Sequence, residues 1–507
     1  MFKRFLLVAA ALLIGAFFVS KIYSPKAVKT KPRFDTSTSK GLEAYFFAQK
    51  MERKKRPKFD KPDQAMEEEV ALRSEVGKPM AYRGSWRFRA FNQAMLNQTE
   101  SQQKTAALNW VERGPANFGG RTRSIIVHPT QTDTWWAGAV GGGIWKTTDA
   151  GANWTCQTDN MPIISVTCMA ICTSQPDILY AGTGEGFYNT DAVIGDGMFK
   201  TTDGGTTWQQ IASTVSNSNF RYVNRIIVDP DNPDFLVVAT NSGVYRSTDG
   251  GSSWTETFNN GNRVQQIIAN PDRFNSQFIA VNSSGIYKST DGGQTWRYVS
   301  EEITDHNRIE MAIAPTDTNI VYASPVNGDY GLLGFFRSSD AGDTWVNYGN
   351  SVNWLGSQGW YDNALIVSPI DPDLIIVGGI NIFRVTINGA SMTVDQLTNW
   401  YTGTEYPYVH ADQHALVTIQ TSQTNFSIIA GNDGGVHYST DAGSTWTELN
   451  NGYNVTQYYD ADRHPSSNEF IGGTQDNGTH RSPADPGSTS DWNRVIGGAG
   501  FDCAWDK

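Results

Sequence analysis

His410, Asp412 and His414 alternate along the chain, and the two-residue side-chain period of a strand would put all three on one face. Two imidazoles flanking a carboxylate suit either of two chemistries: holding a divalent metal, or setting a carboxylate beside an imidazole for proton transfer. A metal would want a further ligand, and Asp433 in Gly431-Asn-Asp-Gly-Gly435 is near enough in sequence to offer one. The plainer alternative is a hydrogen-bonded polar wall that calls for no cofactor. Arginines make a second set, with Arg121, Arg123, Arg225, Arg263 and Arg308 recurring near expected strand starts. They suit an acidic ligand group, Arg121 and Arg123 above all, or pairing with acids inside the fold. Aromatics make a third set: Trp354, Trp360 and Tyr361 in one long loop, and Trp400, Tyr401, Tyr406 and Tyr408 in the next. Such rings suit the apolar face of a sugar or a peptide side chain, or packing between sheets.

These side chains need a frame, and a recurring stretch supplies it. Lys288-Ser-Thr-Asp-Gly-Gly-Gln-Thr-Trp296 has near-copies with aspartates at Asp149, Asp203, Asp249, Asp291, Asp340 and Asp441. The form Ser/Thr-x-Asp-x-Gly-x-x-Trp reads as a tight hairpin. Asp accepts hydrogen bonds from nearby backbone, Gly takes positive φ, and Trp opens the next strand. The steps are 54, 46, 42, 49 and 101 residues, so the last spans two periods. In the hidden copy, Ile387 stands where Asp is expected. Within one period, Arg225–Pro230, Phe235–Ala239, Gly243–Ser247 and the segment from Trp254 read as four short strands.

Four strands in ~40 to 50 residues is the period of a β-propeller blade, and no 3.6-residue pattern supports a helical repeat. The expected fold is all-β: a seven-bladed propeller over 107–452, with blades starting near residues 121, 165, 222, 263, 308, 363 and 412. Asn109-Trp-Val-Glu112 resembles a fourth strand without its first three, as expected of a segment that closes the ring. Residues 453–507 read as an eighth unit and the start of a ninth, at Phe501-Asp-Cys-Ala-Trp505, which makes the sequence a fragment carrying part of a second propeller. The aspartate turns belong at the periphery as structural hairpins. Chemistry belongs to the central channel and its rim.

The net charge of −11 and pI near 5.2 exclude the basic face that nucleic-acid binding demands. Lys3 and Arg4 precede an apolar run from Phe5 to Val19, so residues 1–24 read as a signal peptide or an N-terminal membrane anchor. Either places the rest outside the cytoplasm, in the cell envelope or secreted. Residues 25–106 read as a partly helical stalk, from Ala44–Arg53 and Gln64–Arg73 with prolines between. The four cysteines, at 156, 168, 172 and 503, show no zinc spacing and read as buried thiols, although export permits disulfides.

The six turns resemble the Asp-box, or BNR, repeats of sialidases, sortilin-like receptors and tandem-propeller xyloglucanases. Gly119-Gly-Arg-Thr-Arg-Ser-Ile, Gly141-Gly-Gly-Ile-Trp-Lys-Thr-Thr-Asp, Gly359-Trp-Tyr-Asp-Asn and His410-Ala-Asp-Gln-His414 are similar to exported bacterial proteins of the sortilin-like and glycosyl-hydrolase-like BNR group. That resemblance covers roughly residues 107–507 and implies the fold more than an activity. A xyloglucanase-like site would carry an acid in the first blade's inner turn, yet Ala137–Trp145 holds none. Glu185, Asp362 and Asp412 remain as replacement catalytic carboxylates. Sialidases bind a carboxylate with three channel arginines, but their Phe-Arg-Ile-Pro motif is absent here. The expectation is an exported, membrane-tethered propeller that binds a glycan or peptide at the channel rim, with a polysaccharide hydrolase as the alternative.

Overall fold

In the computed structural model, residue 93 and residues 111–505, apart from 160, 188, 190 and 191, are described. All of them fall in one unit, Pro62–Lys507. The N-terminal apolar run and nearly all of the 25–106 stalk lie outside the described residues. No helix among the described residues is long and apolar enough to cross a membrane.

Short runs rich in Val, Ile, Trp and Tyr, punctuated by Asp-Gly turns, favour strands over helices, and that is what forms. Among the described residues, thirty-two strands make eight four-stranded antiparallel sheets, each a meander whose strands pair in chain order. The first strands of sheets 1 to 8 are Thr122–Val127, Val166–Ile171, Val223–Val228, Val264–Asn270, Ile309–Ile313, Ala364–Val367, Gln413–Gln420 and Tyr458–Arg463. Each of the seven blade starts read from the sequence lies one residue before a first strand. Middle strands such as Trp135–Ala139 and Leu236–Thr240 are buried throughout, whereas outer ones such as Thr255–Phe258 are exposed or half-exposed.

The core is divided among the sheet-to-sheet gaps. Apolar clusters join sheet 1 to 2, 2 to 3, 3 to 4, 4 to 5, 5 to 6 and 6 to 7. A further cluster of Ile125, Trp135, Trp145 and Trp154 with Ile429, Val436 and Tyr453 joins sheet 7 back to sheet 1. The indole of Trp154 spans that last gap by donating to the carbonyl of Leu449 at 2.8 Å. Trp345 donates in the same way to Val299 of the preceding sheet, also at 2.8 Å. Sheets packed in succession and returning on the first give the radial order of a β-propeller, with the first strands innermost.

The repeated turns are built alike. In one, Asp340 Oδ1 accepts from Ser338 Oγ at 2.7 Å and Thr344 N at 2.9 Å, while Oδ2 accepts from Thr344 Oγ1 at 2.7 Å. Ser338 Oγ in turn accepts from Gly342 N at 2.8 Å. Two successive residues take positive φ, as primed hairpin turns require, and in three copies the first is an alanine: Ala150, Ala341 and Ala442. In sheet 6 the missing turn is replaced by a longer hairpin from Ile382–Asn388 to Ser391–Gln396, with Ile387 buried.

Two expectations are corrected. Val111 and Glu112, the described part of the expected closing strand, lie outside any strand, and sheet 7 takes its outer strand, Thr447–Glu448, from its own sequence. That outer position was already filled, so the incoming segment packs on sheet 8 instead. Trp492 Nε1 donates to Arg113 O at 2.8 Å, and Phe118 stacks on His480 at 4.0 Å. Phe501–Trp505 forms no named strand, although it runs along the first strand of sheet 8, with Trp505 N donating to Asp462 Oδ2 at 3.0 Å. The described cysteines are free thiols, with Cys168 and Cys172 buried and Cys156 and Cys503 half-buried.

Candidate functional site

In an antiparallel meander the start of the first strand, the end of the second and the start of the third share one end of the sheet. Arg121, Arg308 and Asp412 immediately precede first strands, and Asp362 stands two residues before one. Glu185 follows the second strand of sheet 2, Leu179–Thr183. Asp433 sits between Phe426–Asn432 and Gly435–Ser439, and Asp476 between Phe470–Thr474 and Thr479–Arg481. Topology therefore gathers these residues at one mouth of the channel, and hydrogen bonds tie six sheets together there.

Arg121 is the hub. Its Nε donates to Asp433 Oδ1 at 2.8 Å, Nη2 donates to Asp476 Oδ2 at 3.0 Å, and Nη1 lies 3.6 Å from Glu185 Oε1. Burial works against the Arg121 charge, but Asp433 foremost, with Tyr361, Glu185 and Asp476, raises its pKa well above the usual value. Burial also opposes ionisation of Asp433, and there Arg121 and His414 prevail and hold its carboxyl far below the ordinary range. Tyr361 donates its hydroxyl to Glu185 Oε1 at 2.6 Å, and its ring lies 5.1 Å from the Arg121 guanidinium and 4.5 Å from that of Arg123.

His414 has a defined tautomer. Its Nε2 stands 2.7 Å from the ionised Asp433 Oδ1 and so donates, leaving Nδ1 to accept from Arg123 Nη1 at 3.3 Å. Burial first, and then Arg123, push its pKa down to about 3, so the imidazole is neutral. The 3.5 Å approach of Nδ1 to Asp362 is therefore a polar contact rather than an ion pair.

Asp362 and Asp412 are neighbours at the mouth, and each carboxyl bears on the other's ionisation. Burial, followed by the charges of Asp412 and Asp433, drives the Asp362 pKa well upward. Burial, followed by Asp433, pushes Asp412 up to about 7, while Gln358 Nε2 donates to its Oδ1 at 2.9 Å. One mouth thus holds a carboxylate fixed in its ionised form beside carboxyls that keep a proton at or above neutral pH. Acid–base sites use such a separation, and buried structural ion-pair networks share it.

The His410/Asp412/His414 expectation fails geometrically. The strand begins only at Gln413, Asp412 takes φ 69°, and the ladder shifts register between Gln413 and Ala415. His410 instead packs on Gly434, where a Cβ would collide with its ring, while Asp412 and His414 enter the cluster by separate routes, from the turn and from the strand. Among the described residues, no three His, Cys, Asp or Glu side chains gather as a metal cage.

Of the aromatics, Tyr361 is integral to the mouth and Trp360 packs half-buried on it at 5.2 Å. Trp354 is 2% exposed and packs edge-on to Phe335 at 5.6 Å in the gap between sheets 5 and 6, which makes it a core residue. Trp400 and Tyr401 lie ring to ring at 3.7 Å in the segment leading to Asp412, with Tyr401 exposed, while Tyr406 and Tyr408 are half-buried. Arg225 and Arg308 both pair with Glu310, at 3.3 and 2.9 Å, and Arg263 donates to Gly186 O at 3.4 Å. Arg225 and Arg308 thus pair with an acid inside the fold, whereas the bond from Arg263 goes to a backbone carbonyl.

Asp476 and Gln358 were not anticipated. Asp476 had a signal in the sequence, because Gln475-Asp-Asn-Gly-Thr-His-Arg-Ser482 parallels Asn432-Asp-Gly-Gly-Val-His-Tyr-Ser439 position by position. Each Asp occupies the loop before a third strand that carries a buried histidine, His480 or His437.

The model of the DUF6242 beta propeller domain matches residues 196–309. No curated protein matches the chain. Among solved structures, an ancestral GH74 enzyme superposes with a TM-score of 0.56 at 16% identity, covering 76% of this chain and 56% of its own. The GH74 enzyme of Niastella koreensis superposes with a TM-score of 0.54 at 17% identity, covering 78% and 69% respectively. At such identities the likeness speaks for the fold alone, and the chain is similar to β-propeller proteins.

Proposed function

We propose that this protein is an exported recognition module, a seven-bladed propeller of Asp-box type that binds a glycan at the mouth of its channel. The observation that carries the reading is the convergence there of Arg121, Glu185, Tyr361, Asp362, Asp412, His414, Asp433 and Asp476 from five sheets. Apolar clusters already hold the sheets together, so a costly concentration of buried charges at one mouth supports a role in recognition or chemistry. Half-buried Gln358, Trp360, His410, Asp412 and Asp476 give the outer layer alternating hydrogen-bonding groups and an aromatic face, a pairing that suits sugars. Export rests on Lys3, Arg4 and the apolar run to Val19, which also allows tethering to a membrane.

Full-length protein on a panel of plant and algal polysaccharides, with Asp412→Asn beside it, tests the reading. Retention by at least one glycan and at least tenfold weaker retention of the variant are expected. Retention by none, or equal retention of both proteins, contradicts it.

A second reading, hydrolysis of the bound glycan, has one observation in its favour. Asp412 keeps a proton near neutral pH beside the ionised Asp433, the division of roles that a glycosidase acid and base require. Release of reducing ends that disappears in Asp412→Asn selects hydrolysis. Binding without release selects recognition alone.

A further inference from the structure

Beneath the mouth lies a cavity of about 190 Å³, walled by the first strands around the channel. Its ionisable lining consists of Arg123, Arg225, Glu310, His414 and Cys168, and the rest is Ser124, Thr167 and apolar residues. Arg123 is 2% exposed, and its Nε and Nη2 have no hydrogen-bond partner. Its guanidinium lies 4.1 Å from the ring centroid of Phe187 and 4.5 Å from that of Tyr361. Those rings answer its faces, while hydrogen-bond donors on its edge stay unanswered.

Nor is its charge answered in full: Asp362, the carboxyl on which Arg123 acts, is driven toward its neutral form by burial and by Asp412. Asp433 is bonded to Arg121 and His414, and Glu185 to Tyr361. Glu310 is shared between Arg225 at 3.3 Å and Arg308 at 2.9 Å. Arg225 and Arg308 therefore share one carboxylate with Arg123 as a further like charge nearby, and a guanidinium cannot shed its proton to relieve the imbalance. A buried cation left unpaired is strongly destabilising. The innermost strand of each sheet pairs on one side only, so backbone N–H groups also face the channel.

We propose that the cavity binds a small oxyanion of sulfate or phosphate type, held by Arg123 and Arg225 and supported by channel backbone N–H groups. The anion sits in the channel interior, apart from the carboxylate-rich mouth. It does not rest on the glycan reading, and it makes the propeller axis an anion-stabilised core. Guanidinium edges match tetrahedral oxyanions in bidentate fashion, and the volume accommodates one with accompanying water.

The test is a crystal structure of the full chain soaked in selenate, with anomalous scattering recorded at the selenium edge, together with melting of desalted protein in selenate. A selenium peak within hydrogen-bond distance of Arg123 and Arg225 is expected, as is a saturable rise in Tm. Arg225→Gln, whose target is half-buried and so spares the fold, should weaken the half-saturating concentration at least tenfold. Arg123→Gln should abolish the peak. Water alone in the cavity overturns the proposal, as does a rise in Tm that neither saturates nor changes in Arg225→Gln, since that is the general salting effect of such anions.

Discussion

The peripheral turns and the channel mouth are both built on aspartate, yet they treat the carboxyl in opposite ways. At the turns each Asp accepts several hydrogen bonds in the open. Asp340 is held at about 2, where burial opposes the shift and bonds from Thr344 and Ser338 overcome it. At the mouth Asp412 is pushed up to about 7 by burial and by Asp433. A turn carboxylate is satisfied by its own loop and has no capacity left for a ligand. A mouth carboxyl is crowded, bears on its neighbours' ionisation and stands half-buried, so a ligand can relieve it. Aspartate serves architecture where the backbone supplies its donors, and function where other side chains contest its charge.

The strongest attempt to break the contrast is Asp433→Ala. Removing it leaves Arg121 and His414 buried without their shared acceptor, and a loss of about 3–5 kcal/mol in urea unfolding is expected. A loss below about 1 kcal/mol would show that the mouth network is not charge-coupled.

Asp412→Asn sharpens it through pH. A carboxyl whose folded pKa lies above its unfolded value of roughly 4 binds more protons when folded, so the protein loses stability as pH rises from about 4 to about 7. The variant should be the more stable protein at pH 8 by about 2 kcal/mol and lose that advantage near pH 4. An advantage equal at both pH values would remove the proton from the mouth.

Asp340→Ala applies the opposite sign. Its folded pKa is depressed, so its stabilisation is present above about pH 4 and is lost as pH falls through about 2. A cost of about 1 kcal/mol at pH 7, with glycan binding unchanged, is expected from losing a cap of this kind. The smallest effect belongs to Ala341→Gly, which relieves a positive-φ alanine at 57° and should stabilise by about 0.5 kcal/mol.

How far the sequence could be read follows from the same contrast. The turns are local: every atom that fixes Asp340 lies within four residues of it, so spacing alone located the turns and with them every blade start. Blade strands alternate short apolar runs with turn residues, which kept even the turnless sheet 6 readable through Ile382-Phe383-Arg384. The mouth is assembled from residues up to 355 positions apart, as with Arg121 and Asp476. Residue type could nominate Arg121, Tyr361, Asp362 and Asp433, but no local pattern announces that they meet. Alternation misled at His410 and Asp412 because the left-handed backbone at Asp412 comes just before the strand. Aromatic content misled at Trp354, which packs in the core although its loop reads as exposed.

The most direct measurement is retention of the full-length protein on a glycan panel at pH 6.5, with wild type, Asp412→Asn and Asp340→Asn assayed side by side. Binding should fall at least tenfold in Asp412→Asn and stay unchanged in Asp340→Asn. Loss in Asp340→Asn with Asp412→Asn unaffected would place recognition on the periphery and contradict a functional channel mouth.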